Sequence, residues 1–156
     1  MQVYILKESN SDSRVAASPD TVKKMTDWGL NVVIQDNAGL NSNFSNEEYI
    51  KSGATISNEI TDISKSDLIL KINKPNDDEI ALMNEGSVLI ASLDPYNNSE
   101  TLNKLKDKGV TSFAMELMPR ITRAQSMDIL SSQSNLAGYK AVIDATYLFN
   151  KAMPMM

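Results

Sequence analysis

Residues 68–93 read LILKINKPNDDEIALMNEGSVLIASL, and this stretch decides the fold. The runs LILKI (68–72) and VLIASL (88–93) are apolar without a period of two, which is typical of strands covered on both faces. Between them, Asn76 and Glu79 have the spacing of a capping box, and Gly86 follows the short helix that this box predicts. We therefore expect a strand-helix-strand unit, with residues 68–72 in the middle of a parallel sheet.

The same alternation continues on both sides of this stretch. Ser18 followed by Pro19 predicts a helix start, Gly29 predicts its end, and Ser45 with Glu48 predicts a second capping box. Further strand-like runs occupy residues 2–6, 31–35, 54–56 and 110–115, and further helical patterns occupy residues 60–65 and 101–108. The sequence thus predicts an α/β fold, a Rossmann-like or flavodoxin-like parallel sheet with helices on both faces.

Composition excludes several kinds of chemistry. The 156 residues contain no cysteine and no histidine, which removes thiolate nucleophiles, the commonest metal ligand and any Ser-His-Asp triad. We expect no metal site. The formal charge of −5 argues against a nucleic-acid partner. No apolar run approaches the roughly 20 residues that span a bilayer, so we expect a soluble segment.

Residues 116–138 interrupt the alternation and are the richest source of candidate ligand-binding groups. They read ELMPRITRAQSMDILSSQSNLAG, and irregular segments of this length are uncommon in compact domains unless they bind something. Arg120 and Arg123 offer planar donors. Gln125 both donates and accepts, and Asp128 can hold an arginine in place. The alternative is a surface crossover in which Ser134 or Asn135 caps the next helix and Arg120 pairs with Asp128.

A second group of candidates follows the predicted strands. Arg14 and Lys71 lie where ligands of open α/β sheets gather, but spacing alone favours solvated cations at both positions, and Glu8 is ambiguous. The turn after the first strand contains no glycine, and no G-x-G-x-x-G motif or P-loop is present. The sequence therefore shows no phosphate-binding loop.

The segments ELMPRITRAQSMD (116–128), LSSQSN (130–135) and GYKAV (138–142) resemble the signature of the alpha subunits of proton-translocating NAD(P) transhydrogenases. Residues 7–8, 14–16 and 18–19 resemble the start of the alanine dehydrogenase and transhydrogenase superfamily, and the likeness continues through 53–54 to 154–156. The resemblance spans the chain, and it implies a protein more than twice as long, in which a Rossmann NAD-binding domain follows.

The resemblance implies hydride transfer between NADH and NADP+, coupled to proton flow through a separate membrane domain. The nicotinamide-site residues of the family correspond here to Arg120, Gln125, Asp128 and Ser131. Arg120 and Ser131 would hold the carboxamide of NAD(H), Asp128 would orient Arg120, and Gln125 would lie between the two cofactors. Because hydride passes directly between two cofactors, no protein acid or base is required, which agrees with the lack of histidine and cysteine.

The family also implies an organisation and partners. Residues 1–138 would form the N-terminal domain, including the 116–138 loop, and residues 139–156 would begin a helix leading to the Rossmann domain, which is missing here. We expect a homodimer that works with NADP(H)-binding and membrane-spanning subunits, on the cytoplasmic side of the inner membrane. The chain alone is expected to be inactive.

Two other functions remain as alternatives. Alanine dehydrogenase shares the fold and resembles the chain at Arg14 and Lys71, which in that enzyme hold the substrate carboxylate and carbonyl. It also requires an active-site histidine, and this chain has Ser92-Leu93-Asp94 at the corresponding place. The other alternative is a non-catalytic or dimerisation module that binds no nucleotide.

Overall fold

The computed structural model describes residues 1–9 and 11–152. Two compact units are present, Met1–Ala114 and Met115–Met156. The last portion of the predicted connecting segment, including the likeness at residues 154–156, lies outside the described residues. Within the described ranges, none of the helices combines the length and apolar character that crossing a membrane requires.

The first unit contains one sheet of six strands, and every pair of neighbouring strands is parallel. The strands are β1 (Gln2–Ile5), β2 (Asn31–Gln35), β3 (Thr55–Ser57), β4 (Leu68–Leu70), β5 (Val88–Ala91) and β6 (Thr111–Ala114). Their order is β3-β2-β1-β4-β5-β6, the doubly wound Rossmann order. The predicted fold class and the central position of the 68–72 run are therefore confirmed.

Helices connect the strands at the predicted places. They are α1 (Pro19–Asp27), α2 (Asn46–Lys51), α3 (Asp77–Leu82) and α4 (Ser99–Asp107). Ser18 caps α1, and both predicted capping boxes are formed, Ser45 with Glu48 and Asn76 with Glu79. Residues 60–65 form a 3-10 helix. These starts were predictable because each depends on contacts within one turn.

The core lies on both faces of the sheet, as the apolar strands predict. Along β1, Val3 and Ile5 belong to one buried cluster, whereas Tyr4 belongs to the other. Tyr49 is a fully buried member of the first cluster, and its hydroxyl donates to the carbonyl oxygen of Ala17 at 2.8 Å. A side chain on Gly39 would place its Cβ 2.5 Å from the Tyr49 ring, so this close approach requires glycine.

The second unit begins with two 3-10 turns, Met115–Leu117 and Thr122–Met127, and continues as the long helix α5 (Ile129–Leu148). The prediction that residues 116–138 are irregular is therefore wrong from residue 129 onward, and the predicted boundary at 138/139 falls inside α5. Asp128 is the reason, because its carboxylate caps the helix and so starts it ten residues earlier than expected. The alternative caps, Ser134 and Asn135, lie inside the helix.

Candidate functional site

The carboxyl ends of β1 and β4 meet at the point where an open α/β sheet usually binds a ligand. Here a buried carboxylate of the protein lies at that position. Glu8 is buried, and its carboxylate accepts from the backbone nitrogens of Ile72 and Asn73 at 2.6 and 3.3 Å, and from the Asn73 amide at 3.0 Å. Glu8 therefore joins the ends of the two central strands.

The two candidate cations beside this point are both paired with carboxylates of the chain. Lys71 Nζ lies 2.6 Å from both carboxylate oxygens of Glu79, and the two side chains are only 7% and 6% exposed. The expectation that Lys71 is a solvated cation is therefore wrong. Arg14 donates to Asp12 through Nε at 3.0 Å and Nη2 at 2.7 Å. These hydrogen bonds hold the pKa of the Asp12 carboxyl well below its usual range.

A polar cleft of about 410 Å³ opens at this edge of the sheet, and it is lined by Lys7, Glu8, Ser9, Gln35, Lys71, Asn76 and Glu79. Three of its charged groups are already engaged: Lys71 pairs with Glu79, and Glu8 accepts from backbone nitrogens. The neutral Gln35 amide accepts from the backbone nitrogen of Lys7 at 2.9 Å. Within residues 1–9 and 11–152, no group of three acidic side chains is placed to hold a metal ion.

The residues predicted to contact nicotinamide all lie in the second unit, on the segment that leads into α5. Successive tight turns shape this segment: the backbone nitrogen of Ala124 donates to Ile121 at 2.9 Å, and that of Asp128 donates to Gln125 at 3.3 Å. Ala124 is buried, whereas Arg120 and Gln125 are exposed. The backbone is thus held in place while the polar side chains remain accessible.

Asp128 and Ser131 form a local pair at the start of α5. The Asp128 carboxylate accepts from the Ser131 backbone nitrogen at 3.0 Å and from its hydroxyl at 2.6 Å. These bonds are the main cause of the lowered pKa of Asp128, and the positive charge of Arg120 lowers it further. Asp128 therefore interacts with Arg120 electrostatically, and it accepts hydrogen bonds from Ser131.

Sequence reasoning missed the roles of Glu8, Asn73 and Asp12. Glu8 and its partner Ile72 are separated by 64 positions, so no local pattern links them. The cap at Asp128 did have a local signal, since an Asp before the apolar pair Ile129-Leu130 is a standard helix start. This signal was missed because residues 131–135 are Ser, Ser, Gln, Ser and Asn, a composition that is typical of loops.

The chain is similar to known proteins along most of its length. Residues 4–137 match the family model described as alanine dehydrogenase/PNT, N-terminal domain. An NAD(P) transhydrogenase alpha-subunit polypeptide of Rhodospirillum rubrum is 44% identical over 163 residues, which cover 100% of this chain and 42% of that protein. Alanine dehydrogenase 1 of Staphylococcus aureus is 30% identical over 148 residues, or 94% of this chain and 39% of the enzyme.

Among solved structures, the transhydrogenase from Sinorhizobium meliloti matches 100% of this chain and 47% of its own chain, with 49% identity and a TM-score of 0.93. The chain therefore spans less than half the length of these relatives. The predicted resemblance is confirmed, and transhydrogenases are nearer to the chain than the alanine dehydrogenase is. The chain belongs to the family of alanine dehydrogenase and PNT N-terminal domains.

Proposed function

We propose that this chain is the first portion of the NAD(H)-binding component of a proton-translocating transhydrogenase, which transfers hydride between NADH and NADP+. The observation that carries the proposal is the segment from Arg120 to Ser131, where exposed guanidinium and amide groups precede α5 and an exposed hydroxyl lies in its first turn. Family membership and the 44% identity to a transhydrogenase alpha subunit support it.

The groups on this segment fit a carboxamide. The Ser131 hydroxyl donates a hydrogen bond to the Asp128 carboxylate, so its oxygen can still accept one from a carboxamide NH2 group. Arg120 supplies donors for the carboxamide oxygen. Gln125 both donates and accepts, which suits a place between two cofactors. We propose these roles for Arg120, Gln125 and Ser131, with Asp128 as the group that orients Ser131 and attracts Arg120.

The nicotinamide, when bound, supplies the hydride chemistry, and the protein supplies position. The buried Ala124 and the tight turns around it fix the backbone that carries Arg120 and Gln125. Fixed placement matters because a misplacement of about 1 Å costs roughly 100-fold in rate. The lack of histidine and cysteine is no obstacle to such a reaction.

We extend the proposal to the assembly. NAD(H) is the proposed cofactor of this component, while NADP(H) and the proton path belong to partner domains or subunits. The component itself is proposed to dimerise and to sit on the cytoplasmic side of the membrane. Residues 116–131 form the nicotinamide segment in this proposal, and α5 leads toward the rest of the subunit.

The proposal is tested by substitutions in the complete transhydrogenase. Arg120→Ala and Gln125→Asn are expected to slow hydride transfer by roughly 10- to 100-fold, because positioning is lost while the fold remains. Arg123→Ala is the matched control, since Arg123 is an exposed arginine three residues further along the same segment and none of the proposed nicotinamide roles is assigned to it. Equal hydride-transfer rates for Arg120→Ala and Arg123→Ala would show that Arg120 does not belong to the nicotinamide site.

A further inference from the structure

The guanidinium group of Arg120 needs a source of orientation other than Asp128. The Asp128 carboxylate accepts from the backbone nitrogen and the hydroxyl of Ser131, at 3.0 and 2.6 Å, and its interaction with Arg120 is electrostatic. Among the residues that the structure describes, none forms a hydrogen bond or a salt bridge with the Arg120 side chain. The direction of this exposed side chain is therefore set by the backbone that carries it.

The backbone at Arg120 affects binding in two ways. The side chain and the backbone of a flexible residue both lose conformational entropy when a ligand orders them, and a backbone that is already fixed removes one of these costs. A change in backbone dihedral angles would also move the guanidinium group, because this group lies at the end of a long side chain. The residues on either side of Arg120 therefore decide how well the arginine is placed.

Arg120 lies between two 3-10 helices. The first is Met115–Leu117, and its last hydrogen bond is donated by the backbone nitrogen of Met118 at 3.2 Å. The second is Thr122–Met127, which follows Ile121, a residue in extended conformation with φ −118° and ψ 157°. Because so few residues separate the two helices, the point at which the first helix ends decides the conformation at Arg120.

Pro119 ends the first of these helices. A proline has no backbone N–H, so residue 119 cannot donate the next bond of the 3-10 pattern to the carbonyl oxygen three residues earlier. Its ring also fixes its own φ and disfavours helical dihedral angles at the preceding residue. An alanine at this position could donate that bond and extend the helix. Proline therefore excludes the conformation in which Arg120 joins the first helix.

Pro119 also accepts the hydrogen bond that closes the turn around Arg120. The backbone nitrogen of Ile121 donates to the Pro119 carbonyl oxygen at 2.9 Å, which makes a three-residue turn with Arg120 at its centre. Such a turn fixes the backbone of its central residue, and so the direction of its Cα–Cβ bond. Pro119 and Arg120 are both exposed, so burial does not hold them. The turn therefore holds the backbone of Arg120.

We propose that Pro119 is a positioning residue for NAD(H) that acts through Arg120. It ends the first 3-10 helix and fixes the three-residue turn, so the Arg120 backbone has its binding conformation before the cofactor binds. The side chain of Pro119 is apolar and offers the carboxamide no hydrogen bond. This inference rests on the proposed function, because it assigns the source of the orientation of Arg120.

Steady-state kinetics of the complete transhydrogenase test the proposal. A backbone that populates its binding conformation only in part lowers the apparent affinity by that fraction. The KM for NADH is therefore expected to rise about two- to fivefold in Pro119→Ala, and further in Pro119→Gly, because these residues restrict the backbone less than proline does. The kcat should change less than this KM, and the KM for NADP+ should stay the same.

Pro19→Ala is the matched control, because Pro19 also stands at a helix end but lies in the first unit, at the start of α1. Both KM values are expected to stay the same in this variant. Circular dichroism should show equal helicity in all variants, since Pro119 is exposed. Titration calorimetry of NADH with the complete subunit should give the same rise in Kd for Pro119→Ala, and it requires neither NADP+ nor proton movement.

A double-mutant cycle shows whether Pro119 acts through Arg120. In the Arg120→Ala background, Pro119→Ala is expected to leave the KM for NADH unchanged, because the group that it positions is absent. An equal rise in both backgrounds would overturn the proposal, since Pro119 would then act on the fold or on another group.

Two further outcomes separate this inference from the proposed function. An unchanged KM and Kd for NADH in Pro119→Ala would overturn the role of Pro119, and the role of Arg120 would stand if Arg120→Ala still slowed hydride transfer. Unchanged kinetics in Arg120→Ala would overturn the nicotinamide role of Arg120 and this inference together.

Discussion

Lys71 and Glu79 form a buried ion pair, and removing only one partner is expected to lower the free energy of unfolding more than removing both. At 2.6 Å and an effective dielectric constant of about 20, the attraction is roughly 6 kcal/mol before desolvation is subtracted. The desolvation of two buried ions offsets most of this attraction, so the intact pair contributes little net stability. Glu79→Gln, however, leaves the Lys71 ammonium group buried without a counter-charge. We expect it to lower the free energy of unfolding by about 3–5 kcal/mol.

The Glu79→Gln substitution isolates the charge because the amide oxygen still accepts from the backbone nitrogen of Asn76, as the carboxylate does at 2.8 Å. Lys71→Met should be similarly costly. The double variant should lose clearly less than the sum of the two single losses, since neither charge is then left alone. The matched control is Asp77→Asn, whose partner Lys104 lies 2.8 Å away in a pair that is 71% and 38% exposed.

Urea denaturation followed by circular dichroism at 222 nm measures these differences. Asp77→Asn should cost no more than about 1 kcal/mol, because solvent screens an exposed pair. The reasoning is refuted if Glu79→Gln costs no more than Asp77→Asn. It is equally refuted if the double variant loses as much as the two single variants added together.

Other predictions concern acid stability, a buried tyrosine and nucleotide binding. Because the pKa of Asp12 is lowered in the fold, its stabilising effect is present above the ordinary value of 3.8 and is lost as the pH falls below it. The free energy of unfolding of Asp12→Asn should therefore fall less steeply between about pH 5 and 2 than that of the unsubstituted chain. An equally steep fall in both proteins would contradict this. Burial raises the pKa of Tyr49 to about 12, so Tyr49→Phe should remove a late step from the alkaline ultraviolet titration. It should also cost about 1–2 kcal/mol, because the Ala17 carbonyl loses its donor. The chain alone should show no measurable NADH binding in titration calorimetry, and tight binding would contradict the expectation that a separate Rossmann domain is needed to bind NAD(H).

The regions of the fold that the sequence predicted well are those that depend on contacts close in the chain. The capping boxes at Ser45 and Asn76 close within one turn, so the residue spacing contains all the necessary information. The end of β4 was placed too late, at residue 72 instead of Leu70. The reason is long-range: the Ile72 backbone nitrogen leaves the strand ladder and bonds to Glu8. No local pattern reveals such a partner.

The candidate site shows the same limit. The resemblance selected one segment, residues 116–138, and the structure shows how residues 116–131 of that segment are held by tight turns and by the Asp128 cap. The start of α5 was misjudged because Ser and Asn favour loops when their side chains bond to nearby backbone. Inside α5 the Ser132 hydroxyl bonds instead to the carbonyl oxygen of Ile129, at 3.1 Å, so it is satisfied without breaking the helix.

The central claim is that the segment from Arg120 to Ser131 holds the nicotinamide of NAD(H). A crystal structure of the complete subunit with NADH tests it most directly. We expect the Arg120 guanidinium to donate to the carboxamide oxygen, and the carboxamide NH2 group to donate to the Ser131 hydroxyl oxygen, each at about 3 Å. A nicotinamide ring bound with no contact to residues 116–131 would contradict the claim.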